Sequence, residues 1–220
     1  MTRARSRGMP RRAQPVAVRS TSPLLIIGGI VLIVLVAAVA AVVLTSRPSG
    51  PAEPATAAVT VRGTALPALP PSGTADPAVG QAIPTIGGIG LDGSAMEIGP
   101  GDGALAIFVV AHWCPHCQAE VPVLADWLAN NQLPEGVRVV TVSTGIDPAR
   151  PNYPPSAWLE REGWSEPTLI DDASSSALAG LGLNSFPGFV FVNPDGTVSE
   201  RMTGEISTAT WADALGAIAP

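Results

Sequence analysis

The sequence contains no lysine: its twelve basic residues are all arginine, and six of them precede residue 24, while all eighteen acidic residues follow residue 44. The part after residue 44 therefore sets six arginines against eighteen acids, a formal charge of −12. Nucleic-acid binding depends on basic surface that neutralises phosphates, so a portion this acidic excludes nucleic acid as its expected partner. Cysteine and histidine are as scarce, with two of each. All four fall within the stretch His112-Trp113-Cys114-Pro115-His116-Cys117.

Charge is missing altogether from residues 24–44, a run of 21 uncharged and almost wholly apolar residues. As a helix it would reach about 31 Å, close to the hydrocarbon thickness of a bilayer. With the arginine-rich tail of residues 1–23 before it, the positive-inside rule predicts a cytoplasmic N-terminus and an extracytoplasmic remainder. The run is longer than the apolar core of a cleaved signal peptide, although Ala-Val-Ala-Ala near its end resembles a cleavage site. Arg11-Arg12 is not followed by the rest of a twin-arginine signal. The expectation is a single uncleaved membrane anchor. Residues 45–78 have few large apolar side chains and are rich in Pro, Ala, Gly, Thr and Ser. Such a segment is expected to be a disordered, semi-extended linker.

Residues 79–220 read as one globular domain of ordinary size. Leu91-Asp92-Gly93-Ser94 suits a hairpin turn between short strands, and Leu105 to Ala111 a long buried strand. A helix is expected after Cys114, then a strand over Val137 to Val142, a helix over Ser156 to Gly163 and a strand over Thr168 to Ile170. A helix over Ser174 to Leu181 stops at Gly182. Strands over Gly188 to Val192 and Thr197 to Met202 are joined by Asn193-Pro194-Asp195-Gly196, a strong turn signal. A helix over Ser207 to Ile218, capped by Ser207 or Thr208, closes the chain. This order implies an α/β fold with a central mixed sheet flanked by helices.

The chemistry lies between the first long strand and the helix after it. Two cysteines separated by two residues at a helix start can close a small disulfide ring and reopen it. The first faces unsatisfied N–H groups and the positive end of the helix dipole, which favour a thiolate. Cys114 is thus the expected nucleophile and Cys117, one turn on and more shielded, the resolving thiol. Pro115 suits the first helical turn, which needs no N–H there. His116, when protonated, can donate to the Cys114 thiolate, and stabilising the reduced form makes the disulfide a stronger oxidant. A purely structural bridge closing so short a loop would add little stability. A tetrahedral zinc site is poorly served by four donors crowded into six residues, though copper capture by sulfur and imidazole remains a rival. Haem attachment would want a histidine after Cys117, where Gln118 stands.

Trp113-Cys114-Pro115-His116-Cys117-Gln118-Ala119-Glu120-Val121-Pro122 resembles the active-site signature of the thioredoxin superfamily. It is most similar to the membrane-anchored TlpA/ResA-like branch, with its Trp-Cys-x-x-Cys-x-x-Glu-x-Pro pattern. Phe186-Pro187-Gly188-Phe189-Val190-Phe191-Val192 is similar to the family's second signature, in which the proline is cis and packs beside the cysteines. The resemblance covers about residues 79–220 and implies a thioredoxin-like fold, here with an N-terminal transmembrane helix. It further implies that Pro187 flanks the cysteine pair, that Glu120 assists proton transfer, that Trp113 shields the disulfide and that Pro122 kinks the helix. His112 is expected to be a bystander on the rim. Two departures stand out. Phe108 occupies the place of the buried aspartate of thioredoxins proper, and Pro-His is the dipeptide of strongly oxidising DsbA-like enzymes rather than of reducing TlpA-like ones.

The resulting expectation is an extracytoplasmic thiol–disulfide oxidoreductase acting on cysteine-containing protein substrates, with a membrane redox partner and no cofactor or resident metal. Its direction of work is open. The alternatives are a dedicated reductase in cytochrome c or copper-site maturation, and a redox-inert metal-binding module.

Overall fold

The computed structural model describes residues 57–220. The expected cytoplasmic tail and membrane anchor, and the first part of the expected linker, lie outside the described residues. Among those described, no helix is long and apolar enough to cross a membrane.

Eight strands form one mixed sheet: β1 (Thr60–Arg62), β2 (Thr85–Gly90), β3 (Ala95–Ile98), β4 (Ala104–Val110), β5 (Val137–Ser143), β6 (Thr168–Ile170), β7 (Gly188–Val192) and β8 (Val198–Thr203). Their spatial order is β1-β2-β6-β5-β4-β7-β8, with β3 hairpinned onto β2. At the centre β4 runs parallel to β5 and antiparallel to β7. The α-helices among the described residues are α1 (Pro115–Asn130), α2 (Pro155–Arg161), α3 (Ser176–Gly180) and α4 (Thr208–Ala217).

The two-residue period of the strands sorts their side chains onto two faces. From β4, Ala104, Ala106, Phe108 and Val110 join the core beneath α1 and α4, with Val121, Leu124 and Trp211. Leu105, Ile107 and Val109 join the core on the other face, with Ile86, Leu169 and Leu178. Strand β7 divides likewise, Phe189 and Phe191 to the first face, Val190 and Val192 to the second. Both central strands are therefore buried on both sides, which is why each is a nearly continuous apolar run. Phe108 stacks on Phe189, ring centroids 4.9 Å apart, and tilts against Trp164 at 5.2 Å.

The expected strands and helices from Leu91 onward all form, with ends shifted by one or two residues. Gly90 N–H donates to Ser94 O at 2.8 Å to close the β2–β3 turn. Ser207 Oγ accepts from the Thr210 N–H at 3.0 Å and caps α4. Gly182, at φ +67°, takes the left-handed conformation just past α3.

The linker expectation needs correction from residue 57 onward. Thr60–Arg62 adds an antiparallel edge strand to β2. Leu66 N–H donates to Gly180 O at 3.0 Å and Leu69 N–H to Gly182 O at 2.8 Å. Leu66 and Ala78 are buried in the second core. The segment has few large apolar side chains, but backbone pairing and a buried ion pair, Arg201 with Asp76, hold what average composition would leave loose.

Candidate active site

The site is built where β4 ends and α1 begins. Beyond Val110 the chain turns once, with Cys114 N–H donating to Ala111 O at 3.0 Å. Cys114 is the N-cap of α1 in extended backbone, Pro115 opens the helix, and Gln118 N–H donates to Cys114 O at 3.0 Å. Capping leaves the cysteine sulfur at the end of the helix where N–H groups lack partners. Both cysteines are free thiols and both are buried. The helix continues through Pro122, which supplies no N–H to the preceding turn.

The Cys114 thiol donates to Phe186 O at 3.6 Å, and the Phe186–Pro187 peptide bond is cis. The cysteine pair and Pro187, far apart in sequence, are thus neighbours, as the resemblance implied. Cys117 is fully buried and its sulfur accepts the Ala111 N–H at 3.4 Å. Burial pushes its thiol well above the ordinary range; the N–H opposes this, while the Cys114 and Glu120 charges add to it.

Glu120 is only 3% exposed. One of its oxygens, Oε1, accepts the Ile206 N–H at 3.1 Å. Burial raises its carboxyl, the Ile206 N–H counteracts that, and the charge of Glu205 raises it further. A carboxyl that binds its proton more tightly than usual, close to a thiol that does the same, is suited to passing a proton between them. Phe108, where thioredoxins proper carry an aspartate, offers no such group.

Trp113 lies half-buried beside the cysteines. Its Nε1–H donates to Gly145 O at 2.7 Å, its ring meets Phe186 edge-on at 5.4 Å, and the Arg150 guanidinium sits 4.4 Å over it. His116 is placed otherwise than expected. Its Nδ1 pairs with Glu205 Oε1 at 2.7 Å on the exposed side of the helix.

His112 is not a rim bystander but fully buried. Its Nδ1–H donates to Pro151 O at 2.7 Å and its Nε2 accepts the Asp147 N–H at 3.2 Å, which fixes the neutral Nδ1–H tautomer. Its own carbonyl accepts from Gln118 Nε2 and Asn152 Nδ2, each at 3.2 Å. The ring thereby ties down the loop that carries Gly145 and Arg150 against Trp113. With one histidine on that loop and the other on Glu205, the four soft donors do not converge. Among the described residues no group of three or more His, Cys, Asp or Glu is arranged to hold a metal ion.

The thioredoxin-like domain family matches residues 95–219. The chain belongs to that family. With the cysteine pair intact at the helix mouth, it is a protein thiol–disulfide oxidoreductase by class. Among solved structures it is similar in fold to a Chlorobium tepidum protein described as a thiol:disulfide interchange protein of the DsbE type (17% identity, TM-score 0.53, covering 64% of this chain and 97% of that one). It is similar also to StoA from Bacillus subtilis (15% identity, TM-score 0.51, 63% and 98%). A third is a Bacteroides thetaiotaomicron protein described as a disulfide isomerase (15%, 0.51, 64% and 89%). No curated protein matches the chain.

The thioredoxin-like signatures lead to Cys114, Cys117, Glu120 and Pro187, and the structure brings these together. They do not lead to Ile206, Glu205, Gly145 or His112. Ile206 and Gly145 act through backbone groups, which leave no side-chain signal in a sequence. Glu205 looks like any surface acid until the β8–α4 turn places it on His116.

Proposed function

We propose that this chain is a membrane-anchored, extracytoplasmic oxidoreductase that exchanges disulfides with cysteine-containing proteins through Cys114 and Cys117. The observation that carries the reading is the junction of Cys114, capping α1, with the Phe186 carbonyl just before Pro187. A substrate strand laid along this junction would bring its sulfur to the one cysteine at the helix mouth. The uncharged run 24–44 behind an arginine-rich tail supports the anchor and the exported side. An exported domain meets substrates that carry disulfides.

In the reducing direction the Cys114 thiolate attacks a substrate disulfide, one substrate sulfur leaves as thiolate, and a mixed disulfide remains. Cys117 gives its proton to the Glu120 carboxylate, and its sulfur attacks Cys114. The electron pair leaves with the second substrate sulfur, and the protein ends as the Cys114–Cys117 disulfide. Oxidation of a substrate dithiol is the same sequence reversed. A membrane redox partner then restores the starting state of the pair.

Replacing Cys117 with Ala should trap the mixed disulfide, and identifying the trapped chain by mass spectrometry names the substrate. Cys114→Ala should abolish exchange with model dithiols and disulfides; retained activity would sink the reading. The reduction potential assigns the direction: about −120 mV marks an oxidase, and below about −250 mV a reductase serving cytochrome c or copper sites. The anchor reading fails if mature protein beginning after residue 41 is recovered in the soluble fraction.

A further inference from the structure

Three consecutive residues of the loop between β8 and α4 each touch a different part of the redox site. Gly204 N–H donates to Pro187 O at 2.9 Å. Glu205 Oε1 pairs with His116 Nδ1 at 2.7 Å, across 89 residues of chain. Ile206 N–H donates to Glu120 Oε1 at 3.1 Å. One short turn thus meets the proline segment, the residue between the cysteines and the buried carboxylate. Gly204, at φ +89°, supplies the left-handed backbone from which the other two residues are presented.

The His116–Glu205 pair is exposed, with side chains 71% and 48% accessible, so it adds little to stability. Its consequence is electrostatic and local. Glu120 is held between a donor that favours its charged form, the Ile206 N–H, and a like charge that disfavours it, Glu205. His116, when protonated, offsets Glu205. Cys117 on its own helix also faces Glu120. Arg201 on β8 is engaged with Asp76. Asp213 on α4 forms no salt bridge among the described residues.

We propose that Glu205 is a positioning residue for the exchange reaction: it fixes the turn whose Ile206 N–H grips Glu120, and the balance between Glu205 and His116 sets how readily Glu120 accepts the Cys117 proton. This rests on the reading that Glu120 exchanges a proton with Cys117. It makes the dipeptide between the cysteines act on the resolving step as well as on Cys114. Two neighbouring surface substitutions should therefore have opposite effects.

The test is a carboxyl-carbon NMR titration of Glu120 in the reduced full-length protein, beside the pH profile of mixed-disulfide resolution. Glu205→Gln removes the like charge and should move the Glu120 midpoint down by about half a pH unit or more. His116→Ala removes the offsetting cation and should move it up. The double variant should follow Glu205→Gln. A purely structural role for the loop would shift both single variants the same way, and that outcome, or no shift in either, overturns the inference. His116 is exposed, so His116→Ala gives a reading even if the Glu205 variant folds poorly; a downward or absent shift there is sufficient to reject the idea. Resolution rates that ignore a moving Glu120 titration would instead overturn Glu120 as the proton acceptor, and with it the reading on which the inference stands.

Discussion

Arg201 and Asp76, 125 residues apart in the chain, form a two-pronged ion pair in which Nε donates to Oδ2 at 2.9 Å and Nη2 to Oδ1 at 2.6 Å. The arginine side chain is fully buried, and its Nη1 also donates to Pro67 O and Leu181 O. One guanidinium thus binds the segment before β2, the loop after α3 and strand β8 together.

Arg201→Met would leave two carbonyls without their donor and take from the Asp76 carboxylate its charged partner, leaving it the Ala78 N–H. Breaking a buried pair from one side costs about 3–5 kcal/mol. The expected loss is of that size in urea unfolding, with proteolysis entering first between Ala57 and Ala78. Replacing Asp76 with Leu as well should recover part of the loss, because no unpaired charge then remains. The pair also predicts acid sensitivity. The Arg201 hydrogen bond holds the Asp76 carboxyl below its ordinary value of 3.8. Its stabilisation is therefore present above that value and disappears as pH falls through the lower, folded one. A wild type and Arg201→Met protein equally stable at neutral pH would disprove the clamp.

The thiols should differ sharply in reactivity. Cys117 is fully buried and its ionisation is disfavoured by burial, whereas Cys114 caps the helix and keeps 6% of its surface accessible. The reduced native protein at pH 8 should take one iodoacetamide adduct, on Cys114, with Cys117 modified only in denaturant. Mass mapping that finds both labelled at similar rates under native conditions would contradict the placement of Cys117.

What could be read in the sequence follows from how local each signal is. Strands β4 and β7 announce themselves as apolar runs because they are buried on both faces, and Cys-Pro-His-Cys after β4 marks the helix mouth. Pro187 is found through its resemblance, not through any local pattern. Residues 57–78 escape because their order comes from partners far along the chain: Gly180, Gly182 and Arg201. His112 escapes for the same reason. Its burial depends on the 145–152 loop folding over it, and nothing in its immediate neighbours encodes that loop's path.

His112→Phe would keep the ring volume but leave the Pro151 carbonyl and the Asp147 N–H without the bonds described above. Both groups are only part-buried, and a buried group left unpaired costs about 1–3 kcal/mol, so a loss towards the low end of that range is expected for each. The loop should loosen as well. Because Gly145 and Arg150 sit on Trp113, tryptophan fluorescence near the site should change before global unfolding begins. A fully stable variant with unchanged fluorescence would return His112 to the role of bystander.

Glu120 gives the clearest dependence on pH. Burial raises its folded-state carboxyl above the ordinary value of 4.5. The folded protein then binds more protons than the unfolded chain between those two values, so stability falls as pH rises through that window. Below about pH 4.5 the group is protonated in both states and costs nothing. Glu120→Gln keeps an oxygen that can accept the Ile206 N–H but removes the buried charge. It should therefore unfold at higher urea than the wild type at pH 8, with the gap closing as pH falls to about 4. Mixed-disulfide resolution should slow in the same variant, because an amide cannot take the Cys117 proton. Stability gained and resolution lost in one substitution would mark Glu120 as a residue kept for its chemistry; a gap that persists unchanged at pH 4 would show that its buried charge was never the cause.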